Sequence, residues 1–399
     1  MIGFSAIAPG TDLSQHARVL TRVHDAVLAG AAPPVRPRRV VARSWTRVLS
    51  LGLDASRRNA REPLDIAEVE RRRRQSPLAL VVDELRQVLG SVADASSFLM
   101  VITDADGIIL WREGSPRVRL RADSLGFMEG ARWTEATVGT NAIGTALAEA
   151  APVQLFFAEH FEQAQHPWYC TAAPIHHPVS GDLLGVVDVS GPALTLHPAI
   201  GALVETAVRL AESRLWRRHE QLLEGLRQSA CGLLAGVSGP LLLVDDHGWV
   251  ALRSGIAARD RIEVPRANRL MAVPGLGLCA PERLGEGWLI RPREARDDIP
   301  AELDLTAGSP VLRLRSTAEP WVTPLTRRHA DVLVLLQRAG RTGMTAARLS
   351  ASLFGDEEHC VTVRAEVSRL RKVVGGLVTT NPYRLADGVT LSVVSPESA

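Results

Sequence analysis

Near the carboxy terminus Val363, Val367, Leu370 and Val374 recur at helical spacing. At about 100° per residue they share one narrow stripe, which a folded chain must bury. On the same wheel Arg364, Ser368, Arg371 and Lys372 gather on the flank and far side. Three cations and a hydroxyl therefore point outward, as on a helix that enters a major groove.

The flanking residues predict what surrounds this helix. Thr326 is placed to cap a helix carrying Ala330, Leu333, Val334 and Leu336 and ending near Gly340, and Thr345 to cap another that Gly355 stops. The acidic turn Asp356, Glu357, Glu358 leads into the third helix, closed by Gly375 and Gly376. Leu377 to Thr380, the turn pair Asn381 and Pro382, and Tyr383 to Leu385 then predict a short hairpin. Three helices and a hairpin follow the order of a winged helix-turn-helix. The run VTVRAEVSRLRKVVG…NPYRL resembles the carboxy-terminal DNA-binding domain of response regulators. That resemblance implies DNA contacts through Thr362, Arg364, Ser368, Arg371 and Lys372, with Thr379, Thr380 and Arg384 near the wing. The competing reading is a solvated basic face on an ordinary helical bundle.

At 399 residues the chain has room for two or three domains by the rule of ~150 residues each. No stretch reaches the ~20 apolar residues of a membrane span; the nearest, Ser229 to Val244, is interrupted by Gly232, Gly236, Gly239 and Pro240. The amino terminus lacks a basic segment before an apolar one, so a cytoplasmic protein without membrane association is expected. A net charge of +2 does not mark the whole chain as a nucleic-acid binder. Lys372 is the only lysine and lacks the GxxxxGK[ST] context, which argues against a P-loop ATPase. Cys170, Cys231, Cys279 and Cys360 form no CxxC pair, so neither a zinc ribbon nor a redox dithiol is expected, and no cofactor or metal.

Taken in order, Leu13 to Leu28 and Arg39 to Leu51 read as amphipathic helices separated by prolines, and Pro77 opens a third that runs to about Val92. The run Glu68 to Arg74, two acids and then four arginines, reads as an exposed helix face in preference to a second DNA contact. Phe98 to Asp104 and Ile108 to Trp111 flank Asp106 and Gly107, a hairpin signal. A helix from Gly139 to Glu149 and strands at Pro152–Phe156, Tyr169–His176 and Leu183–Ser190 follow, then a long helix from Pro198 to about Gln228. Leu241–Val244 and Trp249–Leu252 predict another hairpin in a small β-rich, PAS-like module, with part of Pro265 to Pro320 irregular. The expected class is α+β and multidomain: a helical N-terminal segment at 1–94, a sensor at 95–215, a connecting helix and small module at 216–320, and a winged helix at 321–395.

The sensor carries a second resemblance. WTEATVGTNAIGTALAEAAPVQLF, EHF and HPWYCTAAPIHHPVSGDLLGVVDVSG are similar, from roughly Phe98 to Glu212, to the GAF domain of acetoin-catabolism activators and their relatives. Ser44, Trp45 and Arg47, with the GLD of Gly52 to Asp54, resemble that family's amino-terminal segment. Those activators continue into an AAA+ ATPase, whereas here the β-rich module is expected next, so ATP-driven promoter melting is not carried over.

The resemblance implies a pocket beneath the sheet for a small-molecule effector, with Trp133, Asn141, Trp168, Tyr169 and Cys170 as candidate lining. For Trp168 and Asn141 a purely structural role stands as an equal reading, and Gly139 and Gly144 are expected to permit close packing. Cys170 raises the alternative of a GAF-fold thiol oxidoreductase, helped by His160, His166, His176 or His177, although a buried structural cysteine is the simpler reading. No nucleophile elbow, HExxH or dinucleotide loop is present, so no enzyme is expected. The expected function is a one-component transcriptional regulator that senses a ligand and binds DNA, as a homodimer through the long helix or with that helix's stripe buried within one chain. A protein-interaction adaptor is the third reading.

Overall fold

Phe98, Met100 and Ile102 bury toward one side while Leu99 and Val101 bury toward the other. A strand with both faces apolar needs a cover on each. The computed structural model describes residues 4–56, 59, 62–90, 98–267, 269–292, 299–306, 308–314 and 321–395. The chain divides into two compact units, Met1–His219 and Glu220–Ala399.

In the first unit β1 (Leu99–Asp104), β2 (Ile109–Gly114), β3 (Val153–Phe156), β4 (Trp168–His176) and β5 (Leu183–Pro192) form an antiparallel sheet of order β2-β1-β5-β4-β3. One face is covered by the helices Leu13–Leu28, Arg39–Leu49 and Ala142–Glu149, which contribute Val23, Val41, Trp45, Val48, Ile143 and Ala146 to the core. The other is covered by Val204, Ala207, Val208, Ala211 and Leu215 of the helix Ala199–Leu234, together with Leu78, Val81, Val82, Leu85 and Leu89. The latter segment was expected to be one helix. It is instead a 3-10 turn at Pro77–Leu80, an α turn at Val82–Leu85 and a π turn at Arg86–Gly90; the expected end at Val92 lies outside the described residues.

The second helix is fastened to the segments around Glu135 and Glu159 by ion pairs and hydrogen bonds. Arg38 donates from Nε to Glu159 Oε1 (2.7 Å) and from Nη2 to Oε2 (2.8 Å). Ser44 Oγ donates to Glu135 Oε1 at 2.5 Å, and Trp45 Nε1 to the Glu159 carbonyl at 3.2 Å. Glu135 and Glu159 are buried, so an unmade bond would leave a buried carboxylate unsatisfied. The Ser44, Trp45, Arg47 cluster therefore serves docking. The arginine run is also structural: Arg72 bonds Glu68, Asp104 and Asp106, and Arg73 bonds Glu70 and the Leu110 carbonyl.

In the second unit β6 (Leu241–Val244), β7 (Val250–Ser254), β8 (Met271–Val273), β9 (Gly277–Leu284) and β10 (Gly287–Pro292) form an antiparallel sheet of order β7-β6-β10-β9-β8. That order repeats the first sheet's. The expected irregularity after Pro265 is thus corrected in part, because the glycines are turn residues. Gly275 and Gly277 (φ +86° and +76°) turn β8 into β9, and Gly285 (φ +56°) turns β9 into β10.

Farther on, β11 (Ile299–Asp304), β12 (Val311–Leu314) and β13 (Trp321–Pro324) pair in sequence, and β16 (Val389–Val394) lies parallel to β11. Between β13 and β16 stand the helices Arg327–Ala339, Ala346–Phe354 and Cys360–Val374 and the hairpin of β14 (Val378–Thr379) and β15 (Arg384–Leu385). The caps are those expected. Thr326 accepts from His329 N, Thr345 accepts from Arg348 N, and Gly355 turns at φ +91°. Pairing of β11 with β16 joins residues on both sides of position 320, a link that nothing in the local pattern announces.

Candidate functional site

Two places gather polar chemistry. The first lies under the first sheet, where strand alternation decides which side chains meet. Trp168, Cys170 and Ala172 of β4 share a face, and Cys170 and Ala172 stand opposite Ser190 and Asp188 of β5. Trp168, Cys170, Asp188 and Ser190 line a pocket closed by Leu125, Phe127, Trp133, Asn141, Ala142, Ile143 and Gln165. These side chains bound about 330 Å³ including the mouth, of which about 20 Å³ is wide enough to seat a water.

Of the five lining candidates read from sequence, Trp133, Asn141, Trp168 and Cys170 come together here and Tyr169 does not. Tyr169 falls between Trp168 and Cys170 on the strand and so projects to the opposite face, against Phe156, Ala158, Ala193 and Leu196. Asn141 has its polar atoms committed to the fold. Its Oδ1 accepts from Gly144 N at 2.9 Å and caps the helix Ala142–Glu149, while Nδ2 donates to the Gly139 carbonyl at 2.9 Å. It forms wall without a free polar handle. Trp133 is held edge-on to Phe127 at 4.3 Å, and Arg121 lies over the Trp168 ring at 5.1 Å.

Asp188 is fully buried. Its Oδ2 accepts from Ser190 Oγ at 2.5 Å, and Ser190 Oγ also lies 3.0 Å from Cys170 Sγ. Oδ1 has no hydrogen-bond partner among the described residues. Burial pushes this carboxyl up to about 7, with the Ser190 hydrogen bond opposing. Burial and the neighbouring Asp188 push the Cys170 thiol well above its ordinary value. A reactive thiol needs the reverse, so Cys170 lacks the electrostatics of a nucleophile. Sequence reasoning passed over Asp188 as a pocket residue. Its signal was one acid inside the apolar strand Leu183–Pro192.

Of the neighbouring histidines, His160 is buried and His166 half-buried. Burial lowers His160 to about 4, and burial together with His24 and His160 lowers His166 to about 3. Among the described residues no group of His, Cys, Asp and Glu is arranged to hold a metal ion.

The second place is the helix Cys360–Val374. Val363, Val367, Leu370 and Val374 are buried, as the stripe requires. Thr362, Arg364, Ser368 and Lys372 are exposed, and so is Val361 at 75%. Arg371 is half-buried, because its Nε donates to the Val378 carbonyl at 3.0 Å and ties the helix to the hairpin. Arg384 is likewise held, donating from Nη1 to Asp387 Oδ1 at 2.6 Å, while Thr379 Oγ1 donates to the Arg384 carbonyl at 3.3 Å. Thr380 is exposed at the hairpin turn. Arg269 donates to the Arg371 carbonyl (3.1 Å) and to that of Lys372, so the helix's carboxy-terminal end is capped by the neighbouring module. No helix among the described residues is long and apolar enough to cross a membrane.

With both places described, the likeness to known proteins can be set beside them. Residues 22–212 match the family model described as MimR, N-terminal domain. The uncharacterized 47.3 kDa protein in the thcA 5' region of Rhodococcus erythropolis is 30% identical over 396 residues, covering 97% of this chain and 74% of that protein. The acetoin dehydrogenase operon transcriptional activator AcoR of Bacillus subtilis is 34% identical over 217 residues, 54% of this chain and 35% of AcoR. The propane 2-monooxygenase operon transcriptional activator MimR of Mycolicibacterium smegmatis is 28% identical over 186 residues, 44% of this chain and 31% of MimR. The chain thus spans about a third of the length of the two activators. Relatives of the first unit are transcriptional activators and not enzymes by name, and none of them lends support to the thiol oxidoreductase. By its match along nearly its whole length, the chain belongs to one family with the Rhodococcus erythropolis protein and carries a MimR-type N-terminal domain.

Proposed function

We propose that this chain is a one-component transcriptional regulator in which a GAF-type module senses a small effector and a winged helix binds DNA. The sensor is the sheet of β1 to β5, at about 95–215, with the 1–94 helices docked on it. The reader is the three-helix and hairpin segment at about 321–395. The module between them, at 216–320, is PAS-like, a reading supported by its repeat of the first sheet's strand order. A homodimer would set two reading helices against a repeated or palindromic site.

The observation that carries the reading is the division of Cys360–Val374 into a buried apolar stripe and an exposed Arg364, Ser368 and Lys372. A solvated face needs no such hydroxyl and cations in a row beside an exposed Val361, whereas base edges and a thymine methyl do. Arg371 and Arg384 serve the DNA-binding shape by bracing the hairpin. Thr362, Arg364, Ser368, Lys372 and Thr380 are the proposed contacts. For sensing, the support is the pocket of Trp133, Trp168, Cys170 and Asp188, and the relatives' naming as operon activators. An effector shifts DNA affinity only if it binds one arrangement of the chain better than another. The helix Ala199–Leu234, which runs through the boundary between the units, is the proposed route.

The test is capture of genomic fragments by the full chain, followed by sequencing and footprinting. A shared repeated or palindromic motif protected by the wild type, and lost when Arg364 and Lys372 are both replaced by Ala, is expected. No capture, or capture indifferent to salt, would instead favour an adaptor that docks another protein.

A further inference from the structure

The first sheet buries a carboxylate that the fold leaves half-satisfied. Asp188 has no exposed surface, one oxygen bonded to Ser190 and the other without a partner, and it lines the pocket between Trp133 and Trp168. An ionised carboxylate accepts at two oxygens, and leaving one unmet away from water is costly. The other polar groups nearby cannot serve it. Asn141 is spent on its cap and on the Gly139 carbonyl, and Gln165 Nε2 donates to Glu162 Oε2 at 3.0 Å. The one hydroxyl proton of Ser190 is directed to Oδ2, or to Cys170 Sγ when Asp188 is itself protonated. The pocket is therefore short of one hydrogen-bond donor and otherwise lined mostly by apolar and aromatic groups.

We infer that the pocket takes a small molecule that presents a hydrogen-bond donor, hydroxyl or ammonium, to Asp188 Oδ1, with its apolar remainder against Trp133, Trp168 and Ile143. The inference rests on the sensor reading above and specifies its ligand class. Where Asp188 is ionised it excludes anions, and molecules that only accept hydrogen bonds then leave Oδ1 as it was, so the probes are compared above pH 7. A hydroxyl serves either protonation state of Asp188. An ammonium serves the ionised state and gains from the aromatic walls. The interior as it stands seats a water, so a larger occupant requires the surrounding side chains to shift.

The test uses the full chain and four two-carbon probes: ethanol, ethylammonium, acetonitrile and acetate. Binding is followed by the indole resonances of Trp133 and Trp168, assigned through Trp133→Phe and Trp168→Phe. Ethanol or ethylammonium should bind at least tenfold more tightly than acetonitrile and acetate. Binding of ethylammonium that strengthens with rising pH identifies the ammonium as the donor; binding of ethanol that does not change with pH identifies the hydroxyl. In Asp188→Val both should weaken at least tenfold while the melting temperature rises, since the orphaned group is gone and Ser190 keeps Cys170 as partner. Asp188→Asn should keep ethanol and lose ethylammonium. Equal binding of all four probes, donor binding that survives Asp188→Val, or a lower melting temperature in that variant would overturn the inference and leave the sensor reading standing. No binding by any probe, with both indole signals unmoved, would overturn both.

Discussion

Arg47 grips Glu135 with both sides of its fork: Nε donates to Oε2 at 2.6 Å and Nη2 to Oε1 at 2.8 Å. Nη1 donates to Glu149 Oε1 at 2.9 Å, so one guanidinium ties the second helix to two others in the first unit. Glu135 also receives Ser44 Oγ and is buried. Arg47→Ala leaves that carboxylate underpaired, and should cost about 2–3 kcal/mol, measured by urea unfolding of the first unit. Arg47→Lys should recover little, because an ammonium cannot make the paired contact.

Gly144 sits where a Cβ would come within 2.5 Å of Glu135 N. Backbone cannot yield as a flexible side chain does. Gly144→Ala should therefore destabilise the first unit by about 1–3 kcal/mol. At Gly139 a Cβ would meet the Phe161 ring at 2.5 Å with φ already at +77°, so Ala there should be at least as damaging. Thermal melts of the two variants check both.

Asp188 gives a pH dependence of stability with a definite sign. Its folded value is raised to about 7 by burial, above an ordinary value near 3.9. Between these the folded state holds the extra proton, so the contribution falls as pH rises from about 4 to about 7. His160 and His166, lowered to about 4 and about 3, act in the opposite direction, their contribution growing as pH rises toward the ordinary histidine value. Comparison with Asp188→Asn cancels the histidines. From pH 5 to 8 the stability of the wild type relative to this variant should fall by a few kcal/mol, most of it before pH 7.

The cysteines should separate by reactivity. Cys231 is exposed and Cys360 partly so, whereas Cys279 is buried and Cys170, partly buried, has its thiol raised by burial and Asp188. A thiol-disulfide reagent at pH 8 should modify Cys231 first, Cys360 next, and Cys170 and Cys279 only on unfolding. Mass mapping of the labelled peptides reads the order.

Much of this was legible locally. The stripe of Cys360–Val374, the caps at Thr326 and Thr345 and the hairpin turning at Asn381 and Pro382 are set by residues within a turn or two of one another, where spacing and side-chain chemistry act directly. What escaped was set by distant partners. No local pattern tells that β16 will lie beside β11, or that Arg371 will spend its guanidinium on Val378. The pocket shows the same division. Trp168 and Cys170 are legible from the motif, but Tyr169, the residue between them on β4, faces the other way because side chains alternate along a strand. The pocket position of Asp188 emerges only when β4 and β5 are paired.

The most direct test of the regulator account is the affinity of the full chain for a captured DNA site across a salt series, comparing wild type, Arg364→Ala and Lys372→Ala. Wild-type affinity should fall steeply with salt. Arg364→Ala should lose ~1–3 kcal/mol and discriminate less between the site and scrambled DNA, and Lys372→Ala should lower affinity for both with a shallower salt slope. Affinity unchanged in both variants, with the fold intact, would contradict the account.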